Sequence, residues 1–143
     1  MSEKTTQTLE LLKMALNAKG KTSPSPFTNW LQPTVLEANY GSLTFEYVIR
    51  KEMTNPAGAL HGGAVAGIMD DTMGATLFSM EKGAYVTVNL DVNYFAPARE
   101  GDVIRSRSTV VKEGKKVIHM ECELWLADDG KMLAKASSNL MRP

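Results

Sequence analysis

The chain has a single cysteine, Cys122, among its 143 residues, so no disulfide closes within it and a reducing compartment suits it. It has no excess of either charge, because sixteen Lys and Arg balance sixteen Asp and Glu. That balance gives no electrostatic footprint for a nucleic-acid backbone or an anionic membrane, though it is compatible with a small basic pocket for a phosphorylated ligand. No apolar run approaches the ~18 residues of a membrane span. The polar start, M-S-E-K-T-T-Q-T, lacks the apolar segment of a secretory signal. The two histidines, His61 and His119, lie far apart with no cysteine cluster beside them, so there is no metal-ligand spacing and no metal or redox cofactor is expected. Repeats, low-complexity tracts and blocks of like charge are also missing. What remains is one domain over residues 1–143, expected to be soluble and cytoplasmic.

The first 33 residues read as a short amphipathic helix and a loop. Leu9, Leu12 and Leu16 recur at helical spacing over Thr8 to Lys19, Thr5 or Thr6 is placed to cap, and Gly20 follows as a stop. Pro24 and Pro26 mark Lys21 to Thr28 as loop, which Asn29, Trp30 and Leu31 are expected to pack back onto the domain. From Thr34 the period becomes two. Leu43, Phe45, Tyr47 and Ile49 alternate with polar neighbours, as expected of a strand with one wet face, and a turn at Asn39-Tyr40-Gly41 links it to a shorter strand before it. One long helix, roughly Gly63 to Met80, interrupts the strands. Four more follow, near 86–94, 102–112, 116–127 and 131–141, with hairpin signals at Glu113-Gly114 and Asp128-Asp129-Gly130. The pattern specifies an α+β domain over residues 34–143, an antiparallel sheet with one helix on its apolar face. Because that helix is apolar almost all round, the sheet must curl about it, which is the hotdog fold.

Asn55 to Met80 is the stretch able to do chemistry. Gly62 and Gly63 sit where the helix begins, so their N–H groups have no intrahelical acceptor, and the positive end of the helix dipole lies there too. Such groups suit a developing oxyanion, although a Gly-rich loop before a helix is common. His61 is read as positioning this turn, with proton transfer as the lesser alternative, and His119 as a solvated residue on a strand. Carboxylates are almost never buried without a partner, yet Asp70 and Asp71 interrupt the apolar run. Asp70 lies eight residues beyond Gly62, about 12 Å along the helix at ~1.5 Å per residue, too far for one carbonyl to touch both. If both act on one bond, they come from two subunits with antiparallel helices. Asp71 is rotated by roughly 100° from Asp70 and fits a structural hydrogen bond or ion pair.

N-P-A-G-A-L-H-G-G-A-V-A-G-I-M-D, followed by V-T-V-N-L-D-V-N-Y-F-A-P-A, resembles the acyl-CoA thioesterases of the hotdog superfamily from about Gly41 onward. The nearest branch is the phenylacetate-pathway-like (PaaI-like) one, which includes mammalian thioesterase superfamily members. The resemblance implies hydrolysis of acyl- or aryl-CoA. Asp70 would act as general base on water or as nucleophile, and the Gly62 N–H would polarise the thioester carbonyl. Asn55 would lie near the reacting thioester, His61 would support that loop, and the Thr87 hydroxyl would orient water. It further implies that Asn55 and Gly62 of one subunit face Asp70 and Thr87 of another, in a homotetramer built as a dimer of dimers. Arg99, Lys112, Lys115, Lys116 and Arg142 are basic candidates for the nucleotide of CoA, though ordinary surface charge accounts for most of them. Two rival readings keep the fold: a non-catalytic acyl-CoA sensor, which the joint presence of Asn55, Gly62 and Asp70 disfavours, and a hydratase or dehydratase, which His61-Gly62-Gly63 followed by Asp70 fits poorly. Met69, Met73, Met80 and Phe78 suit medium, long or aromatic acyl groups equally, and the methionines equally suit core packing.

Overall fold

Six strands form one antiparallel sheet, built by the alternation that begins at Thr34. The computed structural model of the chain describes residues 3–19 and 23–143. Strands β1 (Thr34–Asn39), β2 (Ser42–Val48), β3 (Val86–Tyr94), β4 (Val103–Glu113), β5 (Val117–Leu126) and β6 (Met132–Met141) lie in the order β1-β2-β4-β5-β6-β3. Leu43, Ser108, Cys122, Ala136 and Val92 stand opposite one another in turn, so a single row of side chains crosses the sheet on one face. The β4–β5 turn needs Gly114, because a Cβ there would lie 2.6 Å from the Val117 carbonyl oxygen.

The long helix, here α3 (Gly62–Ser79), packs across this row against β2, β4 and β5. Ile68, Met69, Met73 and Leu77 are buried on the sheet, each worth about 1.5–3 kcal/mol when fully removed from water. Hydroxyls are interleaved with them. Thr72 donates to the Ile68 carbonyl one turn back at 2.8 Å, so its oxygen accepts from Tyr47 at 3.2 Å and from Ser106 at 2.8 Å. With the Ser106 proton committed to Thr72, the Cys122 thiol, 3.2 Å from Ser106, is the donor of that pair. Thr76 and Ser108 make a parallel contact. Every buried hydroxyl in this layer therefore has a partner, which removes the penalty of enclosing it.

Three features differ from the expectations above. The first helix, α1 (Gln7–Met14), is shorter than Thr8 to Lys19: Thr6 caps it, and Asn17 turns left-handed (φ +62°) and donates its N–H to the Val35 carbonyl at 2.8 Å. The expected stop at Gly20, with Lys21 and Thr22 of the loop, lies outside the described residues. Second, part of the expected loop is a helix, α2 (Pro26–Leu31), because Ser25 caps it at 3.3 Å and Pro26 occupies its first position. The segment before β1 thus holds two helices rather than one and a loop. Leu31 packs into the core as expected, whereas Phe27 and Trp30 stay nearly half exposed, stacked on each other with the Arg50 guanidinium over Trp30. Third, β3 is an edge strand bonded only to β6, and Val86, Val88 and Tyr94 on it are exposed. Alternation marks Val86, Val88, Leu90, Val92 and Tyr94 as one face, but a register shift between Thr87 and Asn89 breaks it: Leu90 and Val92 pack against the core, whereas Val86, Val88 and Tyr94 stay exposed.

Candidate active site

The turn entering α3 is built by its own polar groups. Asn55 Oδ1 accepts from the N–H groups of Ala57 and Ala59 at 3.0 and 3.1 Å, and the Asn55 N–H donates to the Ala59 carbonyl at 2.8 Å. Arg99 braces this loop by donating to the Ala57 carbonyl at 3.2 Å. His61 is the N-cap of α3: its Nδ1 accepts from the Gly63 N–H at 2.8 Å, which in the neutral ring leaves the proton on Nε2. The two glycines are therefore not equivalent. The Gly63 N–H is occupied by His61, while the Gly62 N–H has no acceptor among the described residues. Tyr94, at the end of β3, donates its hydroxyl to the Gly62 carbonyl at 2.7 Å and holds this first residue of the helix in place.

Two turns further along α3, Thr87 on β3 donates its hydroxyl to Asp70 Oδ1 at 2.8 Å. Asp70 is half-buried, and its second oxygen accepts from no described residue. Asp71 has a different environment. It accepts from the Thr28 hydroxyl of α2 at 2.6 Å, and its Oδ2 is buried with no partner. Burial pushes the Asp71 carboxyl above its ordinary range; the Thr28 hydrogen bond opposes that rise and the neighbouring Asp70 charge adds to it. Both carboxylates line a cleft of about 520 Å³ between α2 and the outward face of α3. A somewhat larger hollow, about 640 Å³, lies on the other side of α2 beside Lys19 and Arg50 and contains none of these groups. Cys122 offers no rival nucleophile, since burial pushes its thiol up to about 12.

Asp71→Asn is expected to raise the melting temperature at neutral pH. The folded-state pKa of Asp71 is raised, so the folded protein holds that proton more tightly than the unfolded chain. Stability is therefore lost as pH climbs from the ordinary carboxylate range through the raised value. Asparagine removes that loss. Below the ordinary range, about pH 4, both states are protonated and the two proteins should melt alike. Thermal melts of both across this range test the assignment; a gain that grew toward acid would refute it.

The structure joins Asp70 to Thr87, and places Asn55 in the loop that leads into the His61–Gly62 turn, where it bonds Ala57, Gly58 and Ala59 and neither His61 nor Gly62. His119 is not simply solvated, because its Nδ1 pairs with Asn139 Oδ1 across the β5–β6 ladder at 2.8 Å. Of the basic candidates, Arg99 braces the Asn55 loop and Arg142 bonds the Tyr85 hydroxyl at 3.0 Å, while Lys112, Lys115 and Lys116 are exposed. Tyr94, Thr28 and Phe27 were missed. The one signal for the latter two was Ser25-Pro26, a cap followed by a proline at the first helical position.

A family model described as the thioesterase superfamily matches residues 57–133, more than half of the chain. The chain belongs to the thioesterase superfamily. Within the superfamily it is similar to human acyl-coenzyme A thioesterase 13, 32% identical over 103 residues that cover 71% of this chain and 74% of that one. The structure of zebrafish thioesterase superfamily member 2 superposes with a TM-score of 0.80 at 26% identity, over 95% of this chain and 99% of that chain. The E. coli PaaI protein from the phenylacetic acid degradation operon gives 0.78 over 84% of this chain and 86% of its own, and at 18% identity that likeness is one of fold. The α+β hotdog architecture and the resemblance to the PaaI-like branch are both borne out. Among the described residues, no helix is long and apolar enough to cross a membrane.

Proposed function

We propose that this protein hydrolyses acyl- or aryl-CoA thioesters to the free acid and CoA, with each site shared between two copies of the chain. The observation that carries the proposal is Asp70, held by the Thr87 hydroxyl at 2.8 Å at the edge of an apolar cleft. Asp70 serves as general base on water or as nucleophile on the thioester carbon. As base, it takes a proton from water as the oxygen bonds to the carbonyl carbon; collapse of the tetrahedral intermediate breaks the C–S bond, and the CoA thiolate leaves and is protonated. The carbonyl oxygen needs a donor while it carries charge. The unoccupied Gly62 N–H at the positive end of α3 is suited to that task, with Asn55 and His61 supporting its loop.

Gly62 and Asp70 sit eight residues apart on one helix, about 12 Å along its axis, so a second copy supplies one of them. The free edge of β3 favours such pairing: its backbone groups lack a neighbour on one side, and Val86, Val88 and Tyr94 beside them are exposed. The tetramer, as a dimer of dimers, follows from the family resemblance.

Release of free thiol, followed with a thiol-reactive dye across a panel of alkyl- and aryl-CoA thioesters, tests the proposal. Cys122 is buried and adds no background. Turnover on at least one acyl class is expected, together with a sedimentation mass of at least two chains. Binding of CoA esters with no thiol release from any of them would overturn hydrolysis, and a monomer turning over at full rate would overturn the shared site.

A further inference from the structure

We infer that the acyl group lies along α3 from Asp70 toward Phe78, and that Gly74 sets how much of it the site holds; this rests on the thioesterase reading above. The direction follows from which parts of the outward face of α3 are already covered. On the N-terminal side of Asp70, a Cβ on Gly63 would meet the His61 ring at 3.1 Å, and one on Gly67 would meet Phe27 at 3.0 Å. On the C-terminal side, a Cβ on Gly74 would meet nothing within 4 Å. Open space beside the carboxylate therefore lies toward the C-terminus. The cleft of about 520 Å³ lies there, with Pro24, Phe27, Gly74, Ala75 and Phe78 among its walls, within the range of ligand pockets.

Chemistry selects the acyl group over the CoA arm as occupant. The walls are mainly apolar, and the charged groups in them, Asp70 and Asp71, repel the phosphates of a nucleotide. Gly74 and Phe78 follow Asp70 by one and two turns on the same face, about 6 and 12 Å away along the helix. An extended chain advances ~1.1–1.2 Å per bond, since three backbone bonds span at most 3.3–3.6 Å. Roughly five carbons therefore reach Gly74 and about ten reach the exposed ring of Phe78. A side chain at position 74 would obstruct every acyl chain longer than the first figure.

The test compares the ratio of kcat/KM for dodecanoyl-CoA to that for butanoyl-CoA in the wild type, Gly74→Leu and Phe78→Ala. Leucine is a far better helix former than glycine, so α3 survives the first substitution, and Phe78 is exposed, so its truncation leaves the core intact. Gly74→Leu should lower the ratio at least tenfold, the scale of discrimination set by steric exclusion of a few methylenes. Phe78→Ala should raise it, by opening the far end. A ratio unchanged in both variants would overturn the inference even with hydrolysis intact. Wild-type protein that releases thiol from neither ester, nor from any other in the panel, would overturn the thioesterase reading itself and this inference with it.

Discussion

Asp70→Asn is expected to lower turnover of the best thioester by about 10²–10⁴-fold, the usual contribution of a positioned general base, and by more if Asp70 is the nucleophile. The substitution isolates the chemistry. Asparagine has the same shape, and its Oδ1 can still accept from the Thr87 hydroxyl, so the side chain stays oriented. Its amide can neither take a proton from water nor attack the carbonyl carbon. Asp70 is only half-buried and contributes nothing to the hydroxyl layer beneath α3, so the melting temperature should hold. Asp71→Asn makes the contrast, with an expected cost below about tenfold, because Asp71 is turned by roughly 100° toward Thr28. Equal turnover in Asp70→Asn and wild type would remove Asp70 from the mechanism, and a larger loss in Asp71→Asn would transfer the role to its neighbour.

Gly62→Pro is expected to reduce kcat by about 10²–10³-fold, or ~2.7–4 kcal/mol of transition-state stabilisation, the cost of removing one oxyanion donor. Proline is otherwise well suited to the position. Gly62 is the first residue of α3, where proline's fixed φ matches the helix and the missing N–H costs no intrahelical bond. His61 before it has φ −60° and ψ 136°, the extended geometry that a following proline favours. A Cβ at Gly62 would meet the Tyr94 ring at 3.6 Å, an ordinary contact. The variant therefore replaces the N–H with the ring carbon of proline and keeps the helix. Gly62→Ala, which restores the N–H on a similar Cβ, should recover most of the rate. Full activity in the proline variant would show that the carbonyl is polarised elsewhere, and an equal loss in the alanine variant would make the effect steric.

Much of this was legible in the sequence for simple reasons. Period-two alternation locates strands whatever their neighbours, and all six were found. Helix rise depends on residue count alone, so the separation of Gly62 from Asp70 can be read from their spacing. What escaped depends on contacts between distant residues or on too short a segment. At six residues α2 is too short to display a period, and Pro26 with Ser23, Pro24 and Ser25 before it resembles a loop. The partner that separates Asp71 from Asp70 is Thr28, 43 residues away. Whether His61 would engage Gly63 rather than Gly62 is a matter of side-chain geometry that spacing leaves open. Alternation in β3 marks its apolar residues, but it cannot show the shift between Thr87 and Asn89 that turns Thr87 toward Asp70 and splits those residues between two faces.

The hydroxyls under α3 have a mechanical consequence. A helix apolar around most of its circumference resembles a smooth axle: methionine and isoleucine would pack against the sheet at several rotational settings with similar burial. Thr72 and Thr76 meet Tyr47, Ser106 and Ser108 at one setting only, because hydrogen bonds are directional. They act as a key in a slot. The sheet thereby fixes the angle at which Asp70 leaves the opposite side of the shaft, and the aim of the carboxylate is set by alcohols that never meet the substrate.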